Sequence, residues 1–135
     1  MNSREVMEYD VVIVGAGPSG LSTAIKLKQL SKTHNKEISI CIVEKGSEVG
    51  SHILSGAVIE TKSLDELIPD WKDTDIPLKT KANKDDFLFL TKNKAFKLPT
   101  PPQMNNHGNY IVSLGNFCNW LGRYAESLGI EIYPG

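Results

Sequence analysis

The feature that most constrains this chain is a glycine spacing in a fixed context. Gly15, Gly17 and Gly20 form G-x-G-x-x-G directly after the β-branched run Tyr9 to Val14 and directly before helix formers that begin at Leu21. Outside that context the spacing is a weak signal whose plain reading is a tight strand-to-helix turn. Inside it each glycine has a separate role: Gly15 permits the turn, Gly17 lets a phosphate reach the backbone, and Gly20 lets helix and strand pack closely. The helix N-terminus then offers unpaired N–H groups and positive partial charge to an anion.

The flanking residues extend the motif into a βαβ unit. Tyr9 to Val14 is apolar on both faces, which predicts a central strand of a parallel sheet. Leu21, Ala24, Ile25 and Leu27 predict the buried face of a helix running to about Leu30, with Lys26, Lys28 and Lys32 toward solvent or the helix C-terminus. Ser31 to Lys36 reads as a polar turn and Ile38 to Val43 as a second buried strand. Glu44 ends that strand, 24 positions after Gly20, where a carboxylate accepts hydrogen bonds from a ribose diol and disfavours a 2′-phosphate. The expectation is a dinucleotide site for an unphosphorylated ribose, with Ser19 and Gly20 donating to phosphate. Residue physics alone leaves FAD and NAD both open. The motif's place near the N-terminus and the Gly/Ser-rich loop Lys45 to Gly56, with further backbone donors, favour the longer ligand, FAD.

Beyond that loop, Ser63 with Glu66 is a capping-box signature for a short helix ended by Pro69. Phe87 to Leu90 and Ala95 to Leu98 flank Lys92-Asn93 and predict a hairpin, one with high apolar content for so exposed an element. It is either a core edge or a surface that meets a membrane or a partner. Pro99, Pro101 and Pro102 block ladder pairing, Asn105 to Asn109 reads as a turn, and Tyr110 to Val112 as a brief strand. Ser113 is placed to cap a last helix whose stripe is Leu114, Phe117, Cys118, Leu121, Ala125 and Leu128, with Gly129 as its C-terminal cap and a strand at Ile130 to Tyr133. Three strand–helix alternations without a return leave a parallel sheet incomplete, so the sequence reads as a fragment of a longer protein.

Several function classes fall away. A net charge of −1 with scattered basic residues is no electrostatic footprint for nucleic acid. Cys41 and Cys118 lie far apart with no ligand-spaced neighbour, so no metal site is expected, and each reads as a buried hydrophobe. No apolar run reaches the roughly 18 to 20 residues that cross a bilayer. The opening Met1 to Asp10 lacks a signal-peptide core, and its Glu5, Glu8 and Asp10 argue against an uncleaved transit peptide. His52 is read as a structural loop residue or a neighbour of the flavin, and His107 as part of a tight turn or a group near a quinone or flavin ring. Trp71 and Trp120 read as packing residues. No catalytic acid, base or nucleophile stands out.

With those residues in view, the chain resembles the electron-transfer flavoprotein:ubiquinone oxidoreductase family from Tyr9 to Gly135. Asp10 to Gly20 is common to many flavoproteins, whereas Gly50 to Val58 (G-S-H-I-L-S-G-A-V), Pro69 to Lys72 (P-D-W-K) and Met104 to Asn116 (M-N-N-H-G-N-Y-I-V-S-L-G-N) are similar to that family in particular. The resemblance implies an α/β fold, a Rossmann-like FAD-binding domain of the glutathione-reductase type, incomplete in this chain and with an inserted β-hairpin. It implies that residues 1–135 are the N-terminal part of that domain, that 57–112 is an insertion with a membrane-facing hairpin at 87–102, and that the quinone and iron-sulfur parts lie outside. Gly15, Ala16, Gly17, Pro18, Ser19, Gly20, Glu44 and Lys45 match the cofactor-binding positions, and Ser51, His52, Ser55 and Gly56 match the loop along the cofactor. The implied activity passes electrons from reduced electron-transfer flavoprotein to ubiquinone through FAD and a 4Fe-4S cluster. The implied location is peripheral and monotopic on the inner membrane, on a bacterial cytoplasmic face or a mitochondrial matrix face, with Phe87, Leu88, Phe89, Leu90, Phe96 and Leu98 as contact residues and Lys92, Lys94 and Lys97 at anionic head groups. Two rivals share the phosphate loop: a related FAD-dependent reductase or monooxygenase without the cluster, and a non-catalytic nucleotide-binding module.

Overall fold

The computed structural model describes residues 6–135; Glu5 and the four residues before it, part of the opening segment discussed above, lie outside the described residues. In chain order the elements are β1 (Val11–Val14), α1 (Pro18–Thr33), β2 (Ile40–Glu44), β3 (Gly56–Ile59), α2 (Lys62–Leu67), β4 (Thr80–Lys81), β5 (Phe87–Leu90), β6 (Ala95–Leu98), β7 (Tyr110–Ser113), α3 (Leu114–Ser127) and β8 (Glu131–Pro134), with short 3-10 turns at Trp71–Asp73 and Pro102–Met104. They form two compact units, one from the chain up to Ser55 together with Leu114–Gly135, the other Gly56–Ser113.

The first unit holds a parallel sheet in the order β1-β2-β8, with Val11 opposite Ile40 and Ile42 opposite Ile132. α1 packs on β1, β2 and α3, and α3 packs on β8. Leu21, Ala24 and Ile25 of α1, Ile40 and Ile42 of β2, and Phe117, Cys118, Leu121 and Ala125 of α3 are buried together with Ile130. The stripe expected on the last helix is therefore a core stripe, with Leu114 and Leu128 half-buried at its ends. Gly129, at φ +83°, ends α3 as expected, and the Ile130 N–H returns to the Ala125 carbonyl at 3.2 Å. Trp120 is buried and stacks on Phe117 and Tyr124, centroids 6.1 and 5.9 Å apart.

Several expectations need correction here. Among the described residues β1 pairs with β2 alone and Val12 and Val14 are 56% and 86% exposed, as fits a sheet that is incomplete in this chain. Helix α1 starts at Pro18, inside the glycine motif, and runs on to Thr33. Ser31 and Thr33 were assigned to a turn, yet the Thr33 hydroxyl donates to the Gln29 carbonyl one helical turn back at 3.0 Å, which keeps it helical. The turn itself is His34-Asn35, with Asn35 at φ +50°. β8 begins one residue later than expected, at Glu131.

In the second unit β3, β7 and β4 form an antiparallel sheet in the order β3-β7-β4, with Gly56 opposite Ser113 and Ile59 opposite Tyr110. Gly56, expected to close the Gly/Ser-rich loop Lys45 to Gly56, instead opens β3. A Cβ at Gly56 would stand 2.8 Å from the Val112 carbonyl oxygen, so the glycine serves close strand approach. The capping box at Ser63 is not formed. α2 starts at Lys62, one residue earlier, and the Thr61 hydroxyl meets the Asp65 carboxylate at 3.2 Å. Asp65 also accepts the Trp71 indole N–H at 2.7 Å, and Trp71 is buried edge-on to Tyr110. β5 and β6 form the expected hairpin with Phe87 opposite Leu98 and Phe89 opposite Phe96. Residues directly opposite in an antiparallel pair share a face. One face is thus Phe87, Phe89, Phe96 and Leu98, the other Leu88, Leu90, Ala95 and Lys97.

Candidate functional site

The site is built where β1 turns into α1. Gly15 adopts φ +100°, open to glycine at little cost, and its N–H donates to the Val43 carbonyl at 2.7 Å, which ties the turn to β2. Gly17, at φ −78° and ψ 179°, caps α1, and the first helical bond runs from the Leu21 N–H to the Gly17 carbonyl at 3.0 Å. Pro18 occupies the first turn, where a missing N–H costs nothing. Among the described residues nothing accepts the N–H groups of Gly17, Ser19 and Gly20, which are the orphan donors of a helix start. A Cβ at Gly20 would lie 2.0 Å from the Gly15 carbonyl oxygen, whereas a Cβ at Gly17 would meet nothing within 4 Å. The third glycine is required by the fold itself. The second guards an open approach to the donors.

Glu44 closes the other side of the loop. Its Oε2 accepts the Ala16 N–H at 2.7 Å and its Oε1 the Gly46 N–H at 2.8 Å. Those two donors, Ala16 first, hold its carboxyl below the usual range, with smaller help from the nearby charges of His52 and Lys45. The carboxylate is ionised at neutral pH and keeps lone pairs free for further donors. Donors for phosphate on one side and a carboxylate for a diol on the other fit the phosphate and adenosine-ribose part of FAD.

The remaining predicted residues fall into two groups. Lys45, Ser51, His52 and Ser55 are exposed in the first unit. The Ser51 hydroxyl donates to the Glu48 carbonyl at 2.9 Å, and Gly50, at φ +88°, lies against Gly115, whose carbonyl oxygen would be 2.4 Å from an added Cβ. Gly56 opens β3 and belongs to the second unit. His107 is also in the second unit, where its Nδ1 lies 3.1 Å from the Asn83 carbonyl and its N–H donates to Asn105, the pattern of a tight turn. Cys41 and Cys118 are buried; burial pushes the Cys118 thiol up to about 11. Among the described residues no group of three or more His, Cys, Asp or Glu side chains could hold a metal ion. Gly46, Gly50 and Gly115 fall inside the loop and motifs read from the sequence, which give none of them a role of its own. The one available signal was a glycine two positions after the strand-ending acid.

Comparison with known proteins points to the same cofactor. Residues 2–71 match the model of the Thi4 family. The chain is 63% identical over 131 residues to the mitochondrial electron transfer flavoprotein-ubiquinone oxidoreductase of Dictyostelium discoideum, covering 97% of this chain and 22% of that protein. It is 58% identical to the electron transfer flavoprotein-ubiquinone oxidoreductase of Pseudomonas aeruginosa, covering 98% of this chain and 25% of that protein. Plant and animal proteins of the same name match at 52–57%. The chain thus spans about a quarter of the length of these relatives. Among solved structures, CtdE in complex with FAD superposes with a TM-score of 0.55 at 24% identity, over 95% of this chain and 30% of that one. The α/β FAD-binding fold is borne out, as is the resemblance to electron-transfer flavoprotein:ubiquinone oxidoreductases over nearly the whole chain.

Proposed function

We propose, starting from a chain that belongs to the Thi4 family and is 52–63% identical to electron transfer flavoprotein-ubiquinone oxidoreductases, that it forms the cofactor-binding start of an enzyme passing electrons from reduced electron-transfer flavoprotein to ubiquinone. The observation that carries the reading is the phosphate loop, with the unpaired N–H groups of Gly17, Ser19 and Gly20 on one side and the ionised Glu44 on the other. FAD, when bound, supplies the redox chemistry, and the protein supplies position and electrostatics. In this reading the three N–H groups and the positive end of α1 hold the pyrophosphate, aided by Gly15, Ala16 and Pro18, which shape the turn. Glu44 takes the ribose diol and repels a 2′-phosphate. Lys45, Ser51, His52 and Ser55 line the remainder of the cofactor. The domain is of the glutathione-reductase type, and 57–112 is an insertion into it.

The buried Cys41 and Cys118 do not fit a 4Fe-4S cluster, which in this reading takes its ligands from parts of the relatives that this chain does not span. The hairpin faces the membrane as a peripheral anchor on the inner membrane. No helix among the described residues is long and apolar enough to cross a bilayer, and the hairpin instead offers an exposed face of Phe87, Phe89, Phe96 and Leu98. Asp86 pairs with Lys84 at 3.2 Å and with Lys97 at the hairpin base, which leaves Lys92 and Lys94 for anionic head groups.

The test uses the protein that carries this chain, assayed for electron transfer from reduced electron-transfer flavoprotein to a soluble ubiquinone analogue. Flavin content and quinone reduction should both be present and should fall together in Gly17→Ala. A flavin-loaded protein that leaves reduced electron-transfer flavoprotein untouched would instead favour a related FAD-dependent reductase.

A further inference from the structure

The Glu44 carboxylate stands where a ribose diol is expected, yet both of its oxygens are already engaged within the chain. We propose that Glu44 is also a positioning residue for the phosphate loop, a brace that holds the donors of Gly17, Ser19 and Gly20 in place before any nucleotide arrives. The inference deepens the FAD-binding reading and rests on it.

The buried Ala16 sits between the left-handed Gly15 and the open Gly17, the two least restrained backbones of the loop. Fixing its amide on Glu44 Oε2 fixes the peptide plane that joins Gly15 to Ala16. β2 therefore holds the loop twice in succession, by the Val43 carbonyl on the Gly15 N–H at 2.7 Å and by the Glu44 side chain on the Ala16 N–H at 2.7 Å. The second carboxylate oxygen pins Gly46, which has no room for a side chain: an added Cβ would lie 2.6 Å from Ser51 Oγ and 3.1 Å from Glu44 Oε1. The Gly135 N–H then lies 2.9 Å from both the Glu44 and Gly46 carbonyls, at the end of β8. One residue links the phosphate loop, the end of β2, the turn after it and the end of β8.

A bare carboxylate this close to an anion site would repel phosphate. Two N–H groups directed at it offset that charge locally, and a carboxylate's roughly four lone-pair positions leave room for two ribose hydroxyls besides. Brace and ribose contact are compatible. Without the brace, ordering Gly15 to Gly17 would fall on the ligand and weaken its binding.

ADP and 2′,3′-dideoxy-ADP separate the two roles, because the second probe has the diphosphate but no diol. Their affinities should be measured on the protein that carries this chain and on its Glu44→Ala and Glu44→Gln variants, at matched thermal midpoints. Losing a charge-assisted backbone bond should weaken dideoxy-ADP about tenfold or more in Glu44→Ala, and less in Glu44→Gln, which keeps one acceptor oxygen. Hydrogen exchange in ligand-free protein should show Ala16 and Gly46 amides protected in the parent and faster in both variants, with the Gly15 amide, held by Val43, changing less. Dideoxy-ADP affinity unchanged in both variants while ADP affinity falls would show that Glu44 acts through the diol alone and would overturn the proposal. If neither probe binds the parent protein, the nucleotide-binding reading fails. Exchange still decides the brace in that case: protection at Ala16 and Gly46 that Glu44→Ala abolishes upholds it, and equal exchange in parent and variant overturns it.

Discussion

Gly17 and Gly20 stand three residues apart in one motif, and alanine at each should act through opposite mechanisms. At Gly20 the added Cβ would be 2.0 Å from the Gly15 carbonyl oxygen and 3.3 Å from Ile13 Cγ2. Ordinary contact needs well over 3 Å, so the start of α1 must lift off β1 by about 1 Å. Overpacking of this kind costs roughly 1–3 kcal/mol, and here the obstacle is backbone, which does not rotate away as a side chain does. At Gly17 an added Cβ meets nothing within 4 Å, and φ −78° with ψ 179° suits any residue. Loss of unfolded-state freedom contributes about 0.4–1 kcal/mol in favour of the variant, while replacing glycine at the cap costs a comparable amount, so the net stability change should be within about 1 kcal/mol of zero. The methyl group would nevertheless stand over the donors that a pyrophosphate has to reach. Urea denaturation and FAD titration by flavin fluorescence, both on the protein that carries this chain, give the two readouts. Gly20→Ala should lose stability, and FAD affinity with it. Gly17→Ala should keep its stability and lose FAD affinity by about tenfold or more. A Gly17→Ala protein that is equally stable and binds FAD as tightly as its parent would refute the placement of phosphate over Gly17.

Two further outcomes follow from the hairpin and from Glu44. Since Phe89 and Phe96 are opposite one another on the wholly apolar face, changing both to Ser should reduce flotation with anionic liposomes by about tenfold or more, whereas Leu88→Ser with Leu90→Ser, on the face that carries Lys97, should do less; equal losses from both pairs would contradict a sided contact. Glu44 has a folded pKa depressed by the Ala16 and Gly46 N–H groups, so in acid the unfolded chain binds its proton first: its contribution is complete above the ordinary glutamate value and disappears as pH falls through the lower folded value. Asp10, held down by Ser39, and Asp86, held down by Lys97 and Lys84, act in the same direction, so Glu44→Gln should make the acid limb of a stability-against-pH curve shallower without abolishing it, and an unchanged limb would mean that the two backbone bonds do not form in solution.

What was legible in the sequence follows from how local each cause is. The phosphate turn, the last helix with its Gly129 cap and the Phe87 to Leu98 hairpin depend on neighbours within a few residues, and each was found where periodicity and turn chemistry put it. The strand at Gly56 and the failure of the Ser63 capping box depend on partners far along the chain or on competing local bonds, such as Val112 against Gly56 and Thr61 against Asp65. Glu44 shows the same boundary within a single residue. Its position at the end of a strand after a glycine motif is a matter of spacing, and spacing pointed to a ribose. Which N–H groups its carboxylate meets is a matter of where Ala16 and Gly46 fold back upon it, and pattern carries no trace of that. A residue chosen for a ligand by its place in the sequence can therefore be committed first to the backbone that receives the ligand, and substituting it removes both interactions together unless the ligand is also varied.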